Sequence, residues 1–323
     1  MSGAHLLRRG YLAGVGSGIT WGLDTVLIGV AMLAAPFVEN PILLLGGTFV
    51  CSMLHDVFAA LWMVLIMGIK GELKNLPSAI CTRDGLFCVL GALLGGPLAM
   101  TFYMLAIAKG GPALTASVTA CYPLLGSALA VVILKEKMSL RSWAGLIVCI
   151  LGIVFIGYTP SSMNPENVSL GIFFSLIVAI GWAAEGVVCG YGMKAGKVSP
   201  QMALLIRELT SGLTYLFIVA PIMVGGFSNL WDGTMAVFGN FSAWGVLAIT
   251  ALVGMVSFLM WYISIDIIGA SKALCLNVTY AFWAVLFTFI FMRSNLTLNI
   301  IIGSIMIIGG VTFATLIVDK KKS

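Results

Sequence analysis

Charge is scarce in this chain. Of its 323 residues only 12 are Asp or Glu, 17 are Lys or Arg and two are His, so charged side chains make up 9%. A water-soluble domain of this length cannot cover its surface with so few ionised groups. No polar stretch between apolar runs exceeds about two dozen residues, too short for a separate soluble domain. The seven cysteines, Cys51, Cys81, Cys88, Cys121, Cys149, Cys189 and Cys275, form no Cys-x-x-Cys pair and have no His cluster beside them. They read as small apolar core residues, not metal or redox groups. The phosphate-cradling GxxxxGK[ST] loop is absent, so ATP is not the expected energy source. With only His5 and His55, and no nucleophile–base or metal-ligand spacing, an enzyme is not expected, nor is any cofactor. The net charge of +5 carries no nucleic-acid signal, because membrane topology accounts for where the basic residues stand.

Hydrophobic residues make up 60% of the chain and mean hydropathy is +1.10. Stretches long enough to cross about 30 Å of hydrocarbon recur along the whole length. We place ten helices near 10–32, 42–68, 85–107, 112–134, 140–158, 169–192, 200–224, 243–267, 272–292 and 298–318. The first follows Arg8 and Arg9 without a cleavage site and reads as a start-transfer helix, not a signal peptide. With the N-terminus inside, Arg8, Arg9, Lys70, Lys74, Arg83, Lys135, Lys137, Arg141, Lys194, Lys197, Lys272 and Lys320 to Lys322 fall on the cytoplasmic side. Lys109 and Arg293 fall outside, and Arg207 lies within a span. The positive-inside rule therefore favours an even number of spans with both termini cytoplasmic, in the inner membrane.

The chain repeats itself. A shift of 158 lays Gly111 on Gly269, Tyr122 on Tyr280, Lys135 on Arg293, Gly145 on Gly303 and Gly152 on Gly310. Ser139 and Thr297 coincide too, each a candidate N-cap for the last helix of its half. A shift of 161 lays Trp21 on Trp182, Asp24 on Glu185 and Gly29 on Gly190. Five helices per half is odd, so the halves, 1–160 and 161–323, insert with opposite orientation. The basic and acidic Lys135, Glu136, Lys137 and Arg141 accordingly become Arg293, Ser294, Asn295 and Asn299 on the other side. An inverted 5+5 repeat in an all-α membrane protein is a design of secondary transporters, with the site near midplane between halves.

With these features the chain resembles the drug/metabolite transporter superfamily, in its EamA-like branch. The likeness covers essentially the whole sequence and is carried by the segment KGGPALTASVTACYPLLGSALAVVILKEKMSLRSWAGLIVCILGIVFIGY from Lys109. Its marks are a helix starting on small residues, a mid-helix Pro123, the acidic Glu136 after the fourth helix and a glycine-rich fifth. The second half departs from the pattern, with Ala281 in place of the proline and Ser294 in place of the acid. The resemblance implies alternating access but names no cargo, since the superfamily moves amino acids, nucleosides, sugars, cofactors and cations.

Gly10, Gly14, Gly18 and Gly22 make a small-residue stripe for close helix packing, repeated by Gly171, Ser175, Ala179 and Ala183. At about 100° per residue Asp24, and likewise Glu185, points away from that stripe. Asp24 should lie outward of midplane and Glu185 inward. Ionisable groups inside a span are expensive, and their default reading is functional. His55, Asp56, Arg207 and Glu208 are basic–acidic neighbours suited either to a buried ion-pair network between helices one, two, six and seven or to proton coupling. Neighbours diverge by about 100° on a helix, so neither pair need be bridged within itself.

Trp21, Trp182, Tyr103, Trp261 and Tyr280 gather on the same helices, whereas Trp62, Trp143 and Trp231 read as interface anchors or packing. Aromatic faces beside carboxylates suit an organic cation, and some bacterial choline permeases belong to the resembled superfamily. The expectation is a transporter whose cargo, such as choline, binds among Glu185, Asp24 and these rings. The alternative is an amino acid or other zwitterionic or neutral metabolite, held through Arg207 and moved or exported with protons on the acids. The expected partners are that small molecule, protons and the lipid bilayer, with no nucleic acid; the chain is expected to be a monomer or homodimer. A continuous channel fits the repeat less well, and a scaffold would not need intramembrane acids.

Overall fold

The structure, a computed structural model, describes residues 3–157, 167–194, 196–293 and 297–315. The boundary at 160/161, the Ser294–Asn295 pair and Lys320 to Lys322 lie outside the described residues. Among the described residues ten helices are long and apolar enough to cross a membrane: α1 (Gly3–Met32), α2 (Pro41–Ile69), α3 (Arg83–Gly110), α4 (Leu114–Ile133), α5 (Leu140–Gly157), α6 (Val168–Lys194), α7 (Pro200–Val224), α8 (Phe241–Ile268), α9 (Ala270–Met292) and α10 (Leu298–Thr315). The first begins earlier than its apolar run, with Arg8 and Arg9 exposed on its opening turns. Extending the helix there satisfies backbone groups that would otherwise enter the membrane unpaired.

The repeat is written into the backbone. The fourth span is broken into Pro112–Thr119 and Tyr122–Ile133, and the ninth, at the same shift of 158, into Ala270–Asn277 and Tyr280–Met292. Each broken span starts after a glycine in a conformation closed to L side chains, Gly111 at φ 80° and Gly269 at φ 90°. Among the described residues two non-glycines have positive φ, Lys135 and Arg293, which are repeat partners. The expected caps also form. Ser139 Oγ accepts from Ser142 N at 3.1 Å, and Thr297 Oγ1 from Ile300 N at a weaker 3.5 Å.

The halves interlock. α1 packs against α8 and α9 of the second half, and α6 packs against α3 and α4 of the first, while α2 meets α7 and α5 meets α10. The glycine stripe of α1 faces its partners as expected. A methyl at Gly10 would strike Ile268, at Gly14 Leu276, and at Gly22 the backbone of Ala284. α5 and α10 cross with Gly145 against Gly310 and Gly152 against Gly303, four glycines related in pairs by the repeat. Trp62, read as an interface anchor or a packing residue, donates Nε1–H to Ala248 O at 2.9 Å and ties α2 to α8. An indole N–H in apolar surroundings needs such an acceptor.

Candidate functional site

A cavity of about 270 Å³ lies between the halves. Of the eleven residues singled out in the sequence, Trp21, Asp24, His55, Asp56, Tyr103, Trp182, Glu185, Arg207, Trp261 and Tyr280 all line it. Glu208 does not line it and is buried behind Arg207. The wall continues past Ile28, Met32, Thr48 and Met104. These stand at the end of the bundle away from Lys135, Lys137 and Lys194.

Each half contributes an acid–base–acid triplet. In the first, His55 Nε2 meets Asp24 Oδ1 at 3.0 Å and His55 Nδ1 meets Asp56 Oδ1 at 3.2 Å. In the second, Arg207 donates Nε–H to Glu185 Oε1 at 3.2 Å and Nη1–H to Glu208 Oε2 at 2.9 Å. The triplets join where Arg207 Nη1 comes within 3.7 Å of Asp56 Oδ1 and Ser211 Oγ donates to Asp56 Oδ2. Both pairs of sequence neighbours are bridged, a point that the divergence of about 100° left open. The long guanidinium arm and the two-faced imidazole reach around that divergence. The network nonetheless links α1, α2, α6 and α7 as the ion-pair reading anticipates. Arg207 also lies 4.0 Å above the Phe258 ring, a contact favoured by desolvation.

All six ionisable groups are buried. Four carboxyl groups face one guanidinium and one imidazole, the latter with a carboxyl oxygen at each ring nitrogen. Acidic groups therefore outnumber basic ones by two in a region where unpaired charge is costly.

The aromatic wall is built from repeat partners of opposite halves. Trp21 stacks on Tyr280 with centroids 4.6 Å apart and planes 21° from parallel, and Trp182 meets Tyr122 edge-on at 5.7 Å. Tyr103 lies 5.4 Å from Trp182, and Phe258 lies 6.2 Å from Trp21 and 5.9 Å from Trp261. Tyr122 was absent from the expected site, although its match to Tyr280 at shift 158 pointed to it. Phe258, Tyr215 and Ser211 carry no such signal. Asp24 stands clear of the α1 stripe, as expected. Both acids nonetheless meet a glycine of a neighbouring helix, Glu185 against Gly95 of α3 and Asp24 against Gly254 of α8.

These features define a ten-helix, inverted-repeat membrane protein with a polar, aromatic-lined cavity between its halves. The chain belongs to the EamA-like transporter family, whose pattern matches residues 8–158 and again 169–316. It is similar to Protein LicB of Haemophilus influenzae (strain ATCC 51907 / DSM 11121 / KW20 / Rd), 27% identical over 279 residues, covering 86% of this chain and 87% of that one. A crystal structure with 16% sequence identity overlays on it with TM-score 0.63, covering 95% of this chain and 96% of the other, a likeness of fold alone. The protein is a multi-pass membrane transporter of the drug/metabolite superfamily.

Proposed function

We propose that the protein moves a small organic cation, such as choline, by alternating access across the cytoplasmic membrane, with the cation held in the cavity between the halves. The observation that carries this reading is the pairing of an aromatic cage with a carboxylate surplus. A quaternary ammonium offers no N–H to a carboxylate, so ring faces are its natural contacts, worth about 2 kcal/mol or more when desolvated. The four carboxylates nearby supply the long-range compensation that their two basic partners leave incomplete.

The same surplus supports proton coupling. Protons on the carboxyl groups of the cavity would neutralise the site when cargo is absent, and the cation would replace them. An amino-acid cargo is less well supported. Arg207, the group to hold a cargo carboxylate, already gives Nε and Nη1 to Glu185 and Glu208.

The test is binding to the purified protein, read as a rise in melting temperature with ligand concentration. Choline or a related quaternary amine should stabilise the wild type, and Glu185→Gln and Trp182→Ala should each abolish the effect. Unchanged cation binding in both variants would sink the assignment. Stabilisation by an amino acid that disappears in Arg207→Ala would replace it with the zwitterion reading.

A further inference from the structure

We propose that Gly95 and Gly254 are a repeat-related pair of positioning residues that seat the two cavity acids, an inference that rests on the site just described. The shift of 158 carries Gly95 to position 253, one residue short of Gly254. The missing residue is accounted for in α3, where a π-turn over Leu94–Leu98 inserts one extra position, whereas α8 is continuous from Phe241 to Ile268. The two glycines do the same thing in opposite halves. A methyl at Gly95 would collide with the Glu185 carboxyl. A methyl at Gly254 would stand 2.7 Å from His55 Nε2 and 2.9 Å from Asp24 Oδ1, inside the hydrogen bond those atoms make. Neither glycine needs a left-handed backbone; what each supplies is room, and the room is shaped to an acid of the cavity.

The test joins a stability cycle to a binding measurement. Gly254→Ala should lower the melting temperature and weaken choline binding about tenfold by forcing the Asp24–His55 bond apart. In a His55→Ala background, where the ring is gone, the same substitution should cost almost no melting temperature. Gly95→Ala should behave likewise against Glu185→Gly, since an alanine at 185 would keep the Cβ that lies 2.6 Å from the new methyl. Melting-temperature losses that simply add in both cycles would overturn the proposal. If Gly254→Ala alone does not fold, recovery of a folded protein in the His55→Ala background supports it, and a double variant that fails to fold where His55→Ala alone folds overturns it. A wild type that does not bind choline would fell the functional reading, while the stability cycles would still decide the glycines.

A separate observation concerns access to the cavity. We infer that Glu136 is a latch that shuts the cavity at the basic end of the bundle, the end the positive-inside pattern assigns to the cytoplasm. Glu136 follows α4 in the first half and reaches the broken span of the second. It accepts from Ala270 N at 2.7 Å and Ser271 N at 2.9 Å, and Ser271 Oγ donates to it as well. A carboxylate on the free amides of a helix start is a favourable, charge-assisted arrangement. Gly269 is fitted to it, since a Cβ there would lie 2.8 Å from Glu136 Oε1. Lys194 of α6 fastens the same corner by donating to Leu134 O at 2.9 Å. The repeat does not reproduce this lock at the other end, because Pro112 stands where Ala270 does and has no N–H to give. The cavity wall runs toward that other end, past Ile28, Met32 and Thr48.

Spin labels at Lys137→Cys and Lys272→Cys, both exposed positions on either side of the latch, with the exposed Cys81 changed to serine, would report its opening. The Glu136-bearing protein should give one short distance. Glu136→Ala should add a longer population without loss of the folded melting transition, and Glu136→Gln, which keeps an acceptor but no charge, should lie between. An unchanged distance distribution in Glu136→Ala would overturn the inference. Should Glu136→Ala not fold, the distribution in Glu136→Gln decides on the same terms.

Discussion

Trp21 and Tyr280 lie nearly parallel, 4.6 Å between ring centres, although 259 positions separate them in the chain. One comes from the first span and the other from the second piece of the broken ninth, so the stack joins the two halves in the wall of the cavity. Stacked or tilted aromatic pairs contribute about 0.5–1.5 kcal/mol beyond their burial. Trp21→Ala and Tyr280→Ala are therefore each expected to weaken choline binding, and the double variant to lose less than the sum. Titration calorimetry on the four proteins measures the coupling. Strictly additive losses would mean that the two rings do not act as one wall.

Arg207 holds three carboxylates at once, within 3.2 Å of Glu185, 2.9 Å of Glu208 and 3.7 Å of Asp56. Removing one member of a buried ionic cluster leaves the others uncompensated and typically costs about 3–5 kcal/mol. Arg207→Met should thus unfold at markedly lower temperature, and Arg207→Lys should recover only part of the loss, because an ammonium cannot reproduce the forked geometry. Glu185→Gln should have the opposite profile, with near wild-type stability and lost cation binding, since it lowers the negative surplus. Retained melting temperature in Arg207→Met would point away from a structural hub and toward an arginine kept for cargo.

The polar part of the site was largely legible in the sequence, and the reasons are physical. Asp24, Glu185, Arg207 and His55 are conspicuous because the surrounding spans hold almost nothing ionisable, and an intramembrane charge has few uses besides function. Trp21 with Trp182 and Tyr122 with Tyr280 stand out because a constant shift pairs them. The pairing of His55 with Asp24 and of Arg207 with Glu185 was not legible, since it depends on which faces of α1, α2, α6 and α7 meet. Phe258 and Tyr215 were invisible for another reason: aromatic residues are common in membrane spans, and nothing in their spacing separates a cavity wall from lipid-facing packing. Gly95 and Gly254 were hidden by the π-turn, which breaks the register by one residue exactly where a uniform shift would have aligned them.

The crossing of α5 and α10 offers a control on the fold itself. A methyl at Gly152 would lie 2.7 Å from Gly303 O, and one at Gly145 would lie 2.5 Å from Gly310 O, whereas Gly309, one residue away on α10, has open space around it. Gly152→Leu should force the helices apart and destabilise by about 1–3 kcal/mol, the usual cost of overpacking. Gly309→Leu should leave stability unchanged. Equal losses at Gly152 and Gly309 in detergent melting experiments would show that the close crossing does not form.

Cation binding should depend on pH, and the charge count of the site gives the sign. Four carboxyl groups stand against one Arg and one His. On the proposed reading protons take the place of cargo, so the empty site binds more protons than the loaded one. Linkage then requires that choline release protons on binding and that its affinity rise as pH rises. The dissociation constant for choline should fall as pH rises, and the slope reports how many protons leave. Glu185→Gln should flatten that dependence, because it removes a carboxyl group from the surplus. A parallel measurement in weakly buffered solution should show acidification on adding choline to the wild type. A dissociation constant that does not change with pH, with no proton release, would mean that the excess carboxylates do not exchange protons for cargo, and coupling would have to be sought elsewhere in the chain.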